Sequence, residues 1–351
     1  MSRSNRRVDM KQTYYVGLDV SKDTTAICVR RADGVVERVC ETATEPEAIC
    51  TALTDLRGGL ERVVLETGRM ANWLHGELTR RGLPAICVDA RQAHAVLSQI
   101  HNKTDANDAA MLADLARTGF YRRVEVKSRD GQERRALLAA RDAAIGARRN
   151  AENTIRSLLA SFGLRVPGQP RTYEDRIRAV LEGQDALAPV ILPLLAIRME
   201  ALRQAAALTK ELVRRVKSSD ACRRLMTVPG VGTVTAAAFV ATIDAPGRFA
   251  KSRSVGAYAG LTSRRHQSGA VDYGGRISKR GDRLLRTMLY EAANSLLCRV
   301  KPGRGQALKD WAMAVKRRTS HKKAVAALAR KLAVMMHAIW VSGSIFKESE
   351  A

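Results

Sequence analysis

Five residues carry the strongest chemical potential in this sequence, and four of them are carboxylates. Asp19 closes the apolar run Tyr14-Tyr15-Val16-Gly17-Leu18, and Glu66 closes Val63-Val64-Leu65. Asp105 and Asp108 stand three apart in Lys103-Thr104-Asp105-Ala106-Asn107-Asp108-Ala109, where a helix running to Arg117 puts both on one face. Carboxylates delivered by strand ends and a helix start make an all-oxygen cage suited to Mg²⁺ or Mn²⁺. Held close they repel one another, so such a cluster calls for a metal or for proton uptake. A plainer alternative stays open at this level. Asp105 and Asp108 also suit the first turn of a helix, where the dipole favours negative charge, and a strand-end Asp is often a turn former. The fifth residue, Ser268, lies in Gln267-Ser268-Gly269, with Arg264, Arg265, Lys279, Arg280, Arg283 and Arg286 close in sequence. A serine hydroxyl is a poor nucleophile until its proton is removed and the phosphate charge is offset. Arginines and a metal supply that charge term. Composition alone makes Ser268 a loop hydroxyl, and His266 a phosphate or structural contact rather than a base.

The elements that must position these residues divide along the chain. Up to about residue 127 the pattern reads strand, strand, strand, helix, strand, helix, strand, helix, a mixed α/β domain. Asp33-Gly34 is the turn of a hairpin between Ala26–Val29 and Val35–Val39. Helices are expected over 45–56, 72–81 and 105–117. In open α/β sheets ligands gather where strands end, which is where Asp19 and Glu66 fall. Residues 128–162 and 187–218 read as two long helices around a Pro/Gly interruption at 163–170, with a short helix over 173–181. The apolar stripe Leu137, Leu138, Ala144, Ile145, Ile155, Leu158, Leu159 is broken, so a coiled-coil arm and a plain helical bundle both remain open. Further on, Val228-Pro229-Gly230-Val231-Gly232 has the helix, Pro-Gly-x-Gly, helix form of a helix-hairpin-helix element. Gly230 and Gly232 would let backbone approach a phosphate at a helix N-terminus, binding nucleic acid without reading bases. The alternative is a Pro-Gly turn between two packed helices.

Charge sharpens the division. The formal net charge is +25 over 351 residues, with 60 Lys and Arg against 35 Asp and Glu. Residues 1–11 form a basic tail with a net charge of +3. Residues 12–127 hold 15 basic and 16 acidic side chains, residues 128–243 hold 19 and 11, and residues 244–351 hold 22 and 7. A near-neutral front is joined to a basic back. Lys/Arg neutralisation of phosphates dominates non-specific nucleic-acid affinity, so the back is the expected grip on a polyanion. The six cysteines form no C-x-x-C pair, which excludes a zinc ribbon of ordinary spacing and argues for a reducing compartment. No run approaches the ~18–20 uncharged apolar residues that span a bilayer, so no membrane partner is expected.

Taken together the motifs resemble those of the DEDD transposases, the insertion-sequence one-ten family. Gly17-Leu18-Asp19-Val20-Ser21-Lys22, Leu65-Glu66-Thr67-Gly68 and Lys103-Thr104-Asp105-Ala106-Asn107-Asp108-Ala109 are similar to its three acidic motifs. Val228-Pro229-Gly230-Val231-Gly232, Tyr258-Ala259-Gly260-Leu261, Gln267-Ser268-Gly269 and Ile277-Ser278-Lys279-Arg280-Gly281-Asp282 with Leu285-Arg286 are similar to its C-terminal domain. The resemblance covers about residues 13 to 340 and keeps the family order. Behind the basic tail, residues 1–12, it implies a ribonuclease H-like (RuvC-like) mixed-sheet domain over 13–127. A helical arm over 128–220 and a helical transposase domain over 221–345 follow. It also implies Asp19, Glu66, Asp105 and Asp108 as ligands of Mg²⁺ or Mn²⁺, and Ser268 as a nucleophile leaving a 5′-phosphoserine and a free 3′-OH. The partners implied are a structured guide (bridge) RNA, donor and target DNA, and further copies of the chain, a dimer pairing into a tetramer with composite sites. The low aromatic count, 4%, suits a protein that delegates sequence choice to base pairing rather than to stacking platforms.

Two other functions fit parts of the pattern. A junction nuclease of the RuvC type would use the same carboxylates with water as nucleophile, and would have no need of Ser268 or of the basic C-terminal third. A non-catalytic RNA-binding protein would use the carboxylates only structurally.

Overall fold

The computed structural model describes residues 12–89, 104–166, 172–269, 271–301 and 303–348. The basic tail, Lys103 and the Pro167–Pro170 interruption fall outside these residues. The chain forms two compact units, residues 1–127 and 128–351.

The first unit is built on strands β1 (Tyr14–Val20), β2 (Thr24–Arg31), β3 (Val36–Ala43), β4 (Leu60–Glu66) and β5 (Ala85–Val88). Helices α1 (Pro46–Ala52), α2 (Ala71–Arg80) and α3 (Asp105–Thr118) complete it. The sheet order is β3-β2-β1-β4-β5. β1 pairs antiparallel with β2 and parallel with β4, and β4 pairs parallel with β5. The hairpin turns at Asp33-Gly34 as the sequence predicts. Gly34 takes φ +90°, and the Asp33 carboxylate accepts from the Val35 N–H at 3.0 Å.

Both faces of the sheet are covered. Val16, Leu18, Ile27, Val29, Val63 and Leu65 pack with Ile49, Leu53, Leu74 and Leu78 of the α1–α2 side. Ala26, Cys28, Val64 and Val88 meet Ala109, Leu112, Ala113, Leu115 and Ala116 of α3. This explains the near-continuous apolar character of β1 and β4, since strands buried on both faces do not alternate.

The second unit opens with α4 (Arg129–Ser161), followed by α5 (Tyr173–Val180) and α6 (Ala188–Ser218). α4 and α6 run antiparallel. Leu138 packs with Leu212 and Val216 at one end, and Ile155 and Leu159 with Ile191 and Leu195 at the other. Between them, Arg141 Nε donates to Thr209 Oγ1 at 2.9 Å, and Arg198 Nε donates to Glu152 Oε1 at 3.0 Å. The facing residues of α4 (Leu138, Arg141, Ile145, Arg148, Glu152, Ile155, Leu159) repeat every three and four positions. The apolar stripe is broken because paired polar side chains occupy three of those seven positions.

The remaining elements are α7 (Asp220–Leu225), α8 (Thr233–Ile243), α9 (Arg253–Tyr258), β6 (Ser263–Ser268), β7 (Val271–Ile277), α10 (Arg283–Cys298), α11 (Gln306–Arg318) and α12 (His321–Ser342). α8 is buried from Thr235 to Ile243 at the centre of a core shared with α10 and α12. α12 is long and apolar enough to cross a membrane by composition. Ala324, Val325, Leu328, Leu332, Ala333 and Met336 bury its apolar face in the core, so its hydropathy is accounted for by packing. One expectation is corrected. Ser268 reads as a loop hydroxyl, whereas it lies in a two-stranded antiparallel sheet that β6 and β7 form within an otherwise helical unit. Nearly every residue of both strands is exposed, so neither strand shows the apolar alternation by which a strand is recognised.

Candidate active site

The carboxylates of the first unit are positioned by one close helix–sheet contact. Side chains alternate along a strand, so Asp19 shares a face with Gly17, and Glu66 with Val64. Both face α3. Val64 packs on Leu112 and Leu115, and a Cβ built on Gly17 would strike Ala109 O, Ala113 N and Leu112 C, all backbone. The direction of α3 follows from its partners. Ala109 packs with Ala26, the antiparallel partner of Asp19. At the other end Asp114 pairs with Arg30 at 3.1 Å, and Ala116 O accepts from Arg62 Nη1 at 3.0 Å. Arg30 and Arg62 are both the register partners of Tyr15. α3 therefore runs antiparallel to β1 and begins over the end of the strand that carries Asp19.

The register can be followed to the site. From Gly17 to Asp19 the strand advances about 6.6 Å. From Ala109 back to Asp105 the helix advances about 6 Å in the same direction. The first turn of α3 is thus level with Asp19. Leu18 pairs with Leu65 in the parallel register, which brings Glu66 beside Asp19 on the neighbouring strand. Thr104 caps α3, its Oγ1 accepting from Asn107 N at 3.2 Å, and Gly119 ends it at φ +69°. Asp105 is exposed, while Asp19, Glu66 and Asp108 are half-buried.

All four donors are carboxylate oxygens, so the chemistry of the set suits a hard divalent cation. The side chains are not gathered into a closed cluster: among the described residues no group of three or more His, Cys, Asp or Glu is close enough to hold an ion. Rotation about χ1 and χ2 carries an Asp or Glu carboxylate through several ångströms. The fold thus sets where the Cα atoms stand, and side-chain rotation decides the final approach.

Ser268 belongs to the second unit. It is the last residue of β6, paired with Val271 across a tight turn in which Gly269 takes φ +55°. It stands on a hairpin, not in a loop. At the root of the hairpin the segments around Gly260 and Arg280 are interlocked. Gly260 (φ +71°) faces the backbone of Arg280, and Gly281 (φ +111°) faces Tyr258 O. Lys279 N donates to Gly260 O at 3.1 Å, Ser278 N to Thr262 O at 2.7 Å, and Arg286 Nη1 to Ala259 O at 3.2 Å. Asp282 caps α10 through Leu285 N at 2.7 Å and accepts an ion pair from Arg135 at 2.7 Å. Two motifs that stand some 20 residues apart in the chain are one structural feature.

The basic residues separate by their partners. Arg265 forks onto Asp272 at 2.9 and 2.5 Å, which holds the Asp272 carboxyl below its ordinary range and raises the guanidinium. Arg264 donates to Ser278 O at 3.3 Å, and Arg286 is half-buried against Ala259. Lys279, Arg280 and Arg283 are exposed and form no ion pair among the described residues. The Pro-Gly turn joins α7 to α8. Gly230 (φ +83°) lies against Ala292 O and Leu296 of α10, so its missing side chain serves helix packing. Gly232, exposed at the start of α8, has nothing within 4 Å of a built Cβ.

Comparison with known proteins matches both units. A DEDD transposase model of the IS110 type covers residues 16–163, and a model described as Transposase IS116/IS110/IS902 family covers residues 222–310. The chain is 30% identical over 342 residues to the transposase for insertion sequence element IS1111A of Coxiella burnetii, spanning 95% of this chain and 91% of that one. It is 28% identical over 251 residues to the transposase for IS1328 of Yersinia enterocolitica, spanning 70% and 74%. A probable family 20 transposase of Pseudomonas aeruginosa is 30% identical over 249 residues, spanning 68% and 72%.

Proposed function

The chain belongs to the IS116/IS110/IS902 family of insertion-sequence transposases, and from that premise we propose that it cuts and rejoins DNA through Ser268 under the guidance of an RNA. As a DNA transposase of the DEDD type it works with divalent metal. Asp19, Glu66, Asp105 and Asp108 would hold the cation, Mg²⁺ or Mn²⁺, which supplies Lewis-acid charge at the scissile phosphate. The observation that carries this assignment is geometric: the ends of β1 and β4 and the first turn of α3 lie at one end and one face of the sheet. The mixed five-stranded sheet is consistent with a ribonuclease H-like domain.

Ser268 Oγ attacks phosphorus, its O–P bond forms, and the P–O3′ bond breaks. The serine proton ends on the departing 3′ oxygen, directly or through solvent. One phosphodiester becomes one phosphoserine ester, so attack by another strand's 3′-OH reverses the step without ATP. Exposed cations at the root of the hairpin (Lys279, Arg280, Arg283) offset the charge of the approaching backbone. Sequence choice rests on pairing between DNA and a structured guide RNA, and the working assembly is a tetramer built from dimers. Support for the guided reading is the charge distribution, 22 basic against 7 acidic residues over 244–351, which favours backbone grip.

The test is covalent trapping. The protein is mixed with DNA of the element's end and RNA transcribed from its flank, then denatured. A label on the DNA strand 3′ of the cut, which keeps the phosphate, should migrate with protein. Ser268→Ala should lose the adduct, and Asp19→Asn should lose it while still binding nucleic acid. Recombination by Ser268→Ala at the wild-type rate would refute the serine mechanism in favour of water attack.

A further inference from the structure

The face of the β6–β7 hairpin that carries Ser268 also carries an aromatic pair. His266 and Ser268 lie on one side of β6, and their cross-strand partners Tyr273 and Val271 lie beside them. The His266 and Tyr273 rings are parallel to within 5°, with centroids 5.4 Å apart. Every one of these residues is exposed, Tyr273 by 57% and Val271 by 56%. The opposite face is different in kind, since there Arg265 and Asp272 satisfy each other. Among the described residues this is the one stacked aromatic pair. The Phe239–Trp340 and Phe249–Tyr258 contacts are tilted or edge-on.

A flat pair of rings left in water forfeits the burial that aromatic side chains ordinarily gain. What surrounds it selects the occupant. Lys279 and Arg280 at the root of the hairpin are exposed and without ion pairs among the described residues, so the surface suits a polyanion and disfavours a cationic or neutral apolar peptide. Every nucleobase has a π-face and stacks on such rings regardless of sequence. Spacing adds a constraint. His266 and Ser268 are about 6.6 Å apart along the strand, about two steps of a stacked nucleic-acid strand at 3.4 Å each. A phosphate at Ser268 therefore has its first or second neighbouring base at the rings. A count of aromatic residues cannot register this, because it does not report where the few of them stand.

We propose that His266 and Tyr273 form a stacking platform for an unpaired nucleobase of the DNA strand cut at Ser268. They act as positioning residues that hold the adjacent phosphate against the hydroxyl. This rests on the reading of Ser268 as nucleophile.

The experiment uses the full chain, DNA of the element's end carrying 2-aminopurine in turn at each nucleotide flanking the cut, and RNA transcribed from the element's flank. In wild-type protein the fluorescence should be quenched at the first or second nucleotide from the cut. Tyr273→Phe, which keeps the ring, should retain the quench and the rate of adduct formation. Tyr273→Val supplies a β-branched residue that suits a strand and keeps the cross-strand backbone pairing but removes the ring. It should lose the quench and slow adduct formation about 5- to 150-fold, the loss of one base–aromatic stack. A Tyr273→Val protein that quenches and reacts as wild type overturns the platform, as does a wild-type protein that quenches at none of these nucleotides. Ser268→Ala separates the two readings. It should keep the quench and lose the adduct, and an adduct that persists in Ser268→Ala overturns the nucleophile whatever the fluorescence shows.

Discussion

Gly17 offers the sharpest test of how the fold assembles its acidic end. Replacing it with Ala adds one methyl group where α3 already touches β1. A Cβ there would lie 2.8 Å from Leu112 C, and closer still to Ala109 O and Ala113 N. Ordinary contact begins near 3.4 Å, and all three obstructing atoms are backbone, so no side chain can swing aside. The helix must retreat by on the order of 1 Å, which loosens Leu112, Leu115 and Ala116 from Val64 and Val88. Overpacking of this kind costs about 1–3 kcal/mol, and the upper end is expected here because the whole helix has to move. The same retreat carries Asp105 and Asp108 away from Asp19 and Glu66. A misplacement of about 1 Å in catalytic geometry costs about 100-fold. Urea unfolding should therefore show a lowered midpoint for Gly17→Ala. At a concentration where the variant is folded, adduct formation should fall by about two orders of magnitude while nucleic-acid binding is kept. A variant as stable and as active as wild type would show that α3 does not set the position of these carboxylates.

Three other outcomes follow from particular interactions. Glu152→Ala removes the acceptor that Arg148 and Arg198 share between α4 and α6, where the Glu152 and Arg198 side chains are 14% and 12% exposed. Leaving that guanidinium uncompensated should cost about 3 kcal/mol, read from the urea midpoint, and an unchanged midpoint would contradict the pairing. Burial pushes the Cys222 thiol up, which leaves less thiolate at any pH below its titration, whereas Cys298 is exposed. Iodoacetamide followed by peptide mass analysis should label Cys298 in the native chain and Cys222 only after unfolding. Neutralising Lys279 and Arg280 together to Gln should reduce the salt dependence of duplex DNA binding by about 2 in log–log slope, roughly 0.9 for each phosphate that is no longer neutralised. A slope equal to wild type would place the phosphate grip elsewhere.

Local pattern is enough to read most of the elements. The strands at Tyr14–Val20 and Leu60–Glu66, the Asp33-Gly34 hairpin and the long helices Arg129–Ser161 and Ala188–Ser218 all lie where apolar periodicity and turn residues put them. Legibility fails where polar pairing replaces hydrophobic pattern. The α4–α6 seam reads as irregular because Arg141 and Glu152 are met by Thr209 and Arg198 on the other helix, and Arg148 is met by Glu152 on its own. The β6–β7 hairpin reads as loop because almost all of it is exposed, and its strands hold together by cross-strand pairing instead of a buried face. Gly230 reads as a residue that admits a phosphate, yet its open side is filled by α10.

Residue chemistry and short-range spacing are properties of the chain, and they single out Asp19, Glu66, Asp105 and Asp108 as candidate ligands before any fold is known, whereas Ser268 stands out only through the resemblance of its motif. Which of these become neighbours is a matter of long-range pairing, and nothing local encodes it. β1 lies between β2 and β4, so Asp19 stands beside Glu66, 47 positions later in the chain. α3 lies antiparallel across β1 because Ala109 and Ala113 can seat on Gly17, and this brings a helix start to the end of the strand. Packing density decides that last step, since only a residue without a side chain admits a helix backbone so near the sheet.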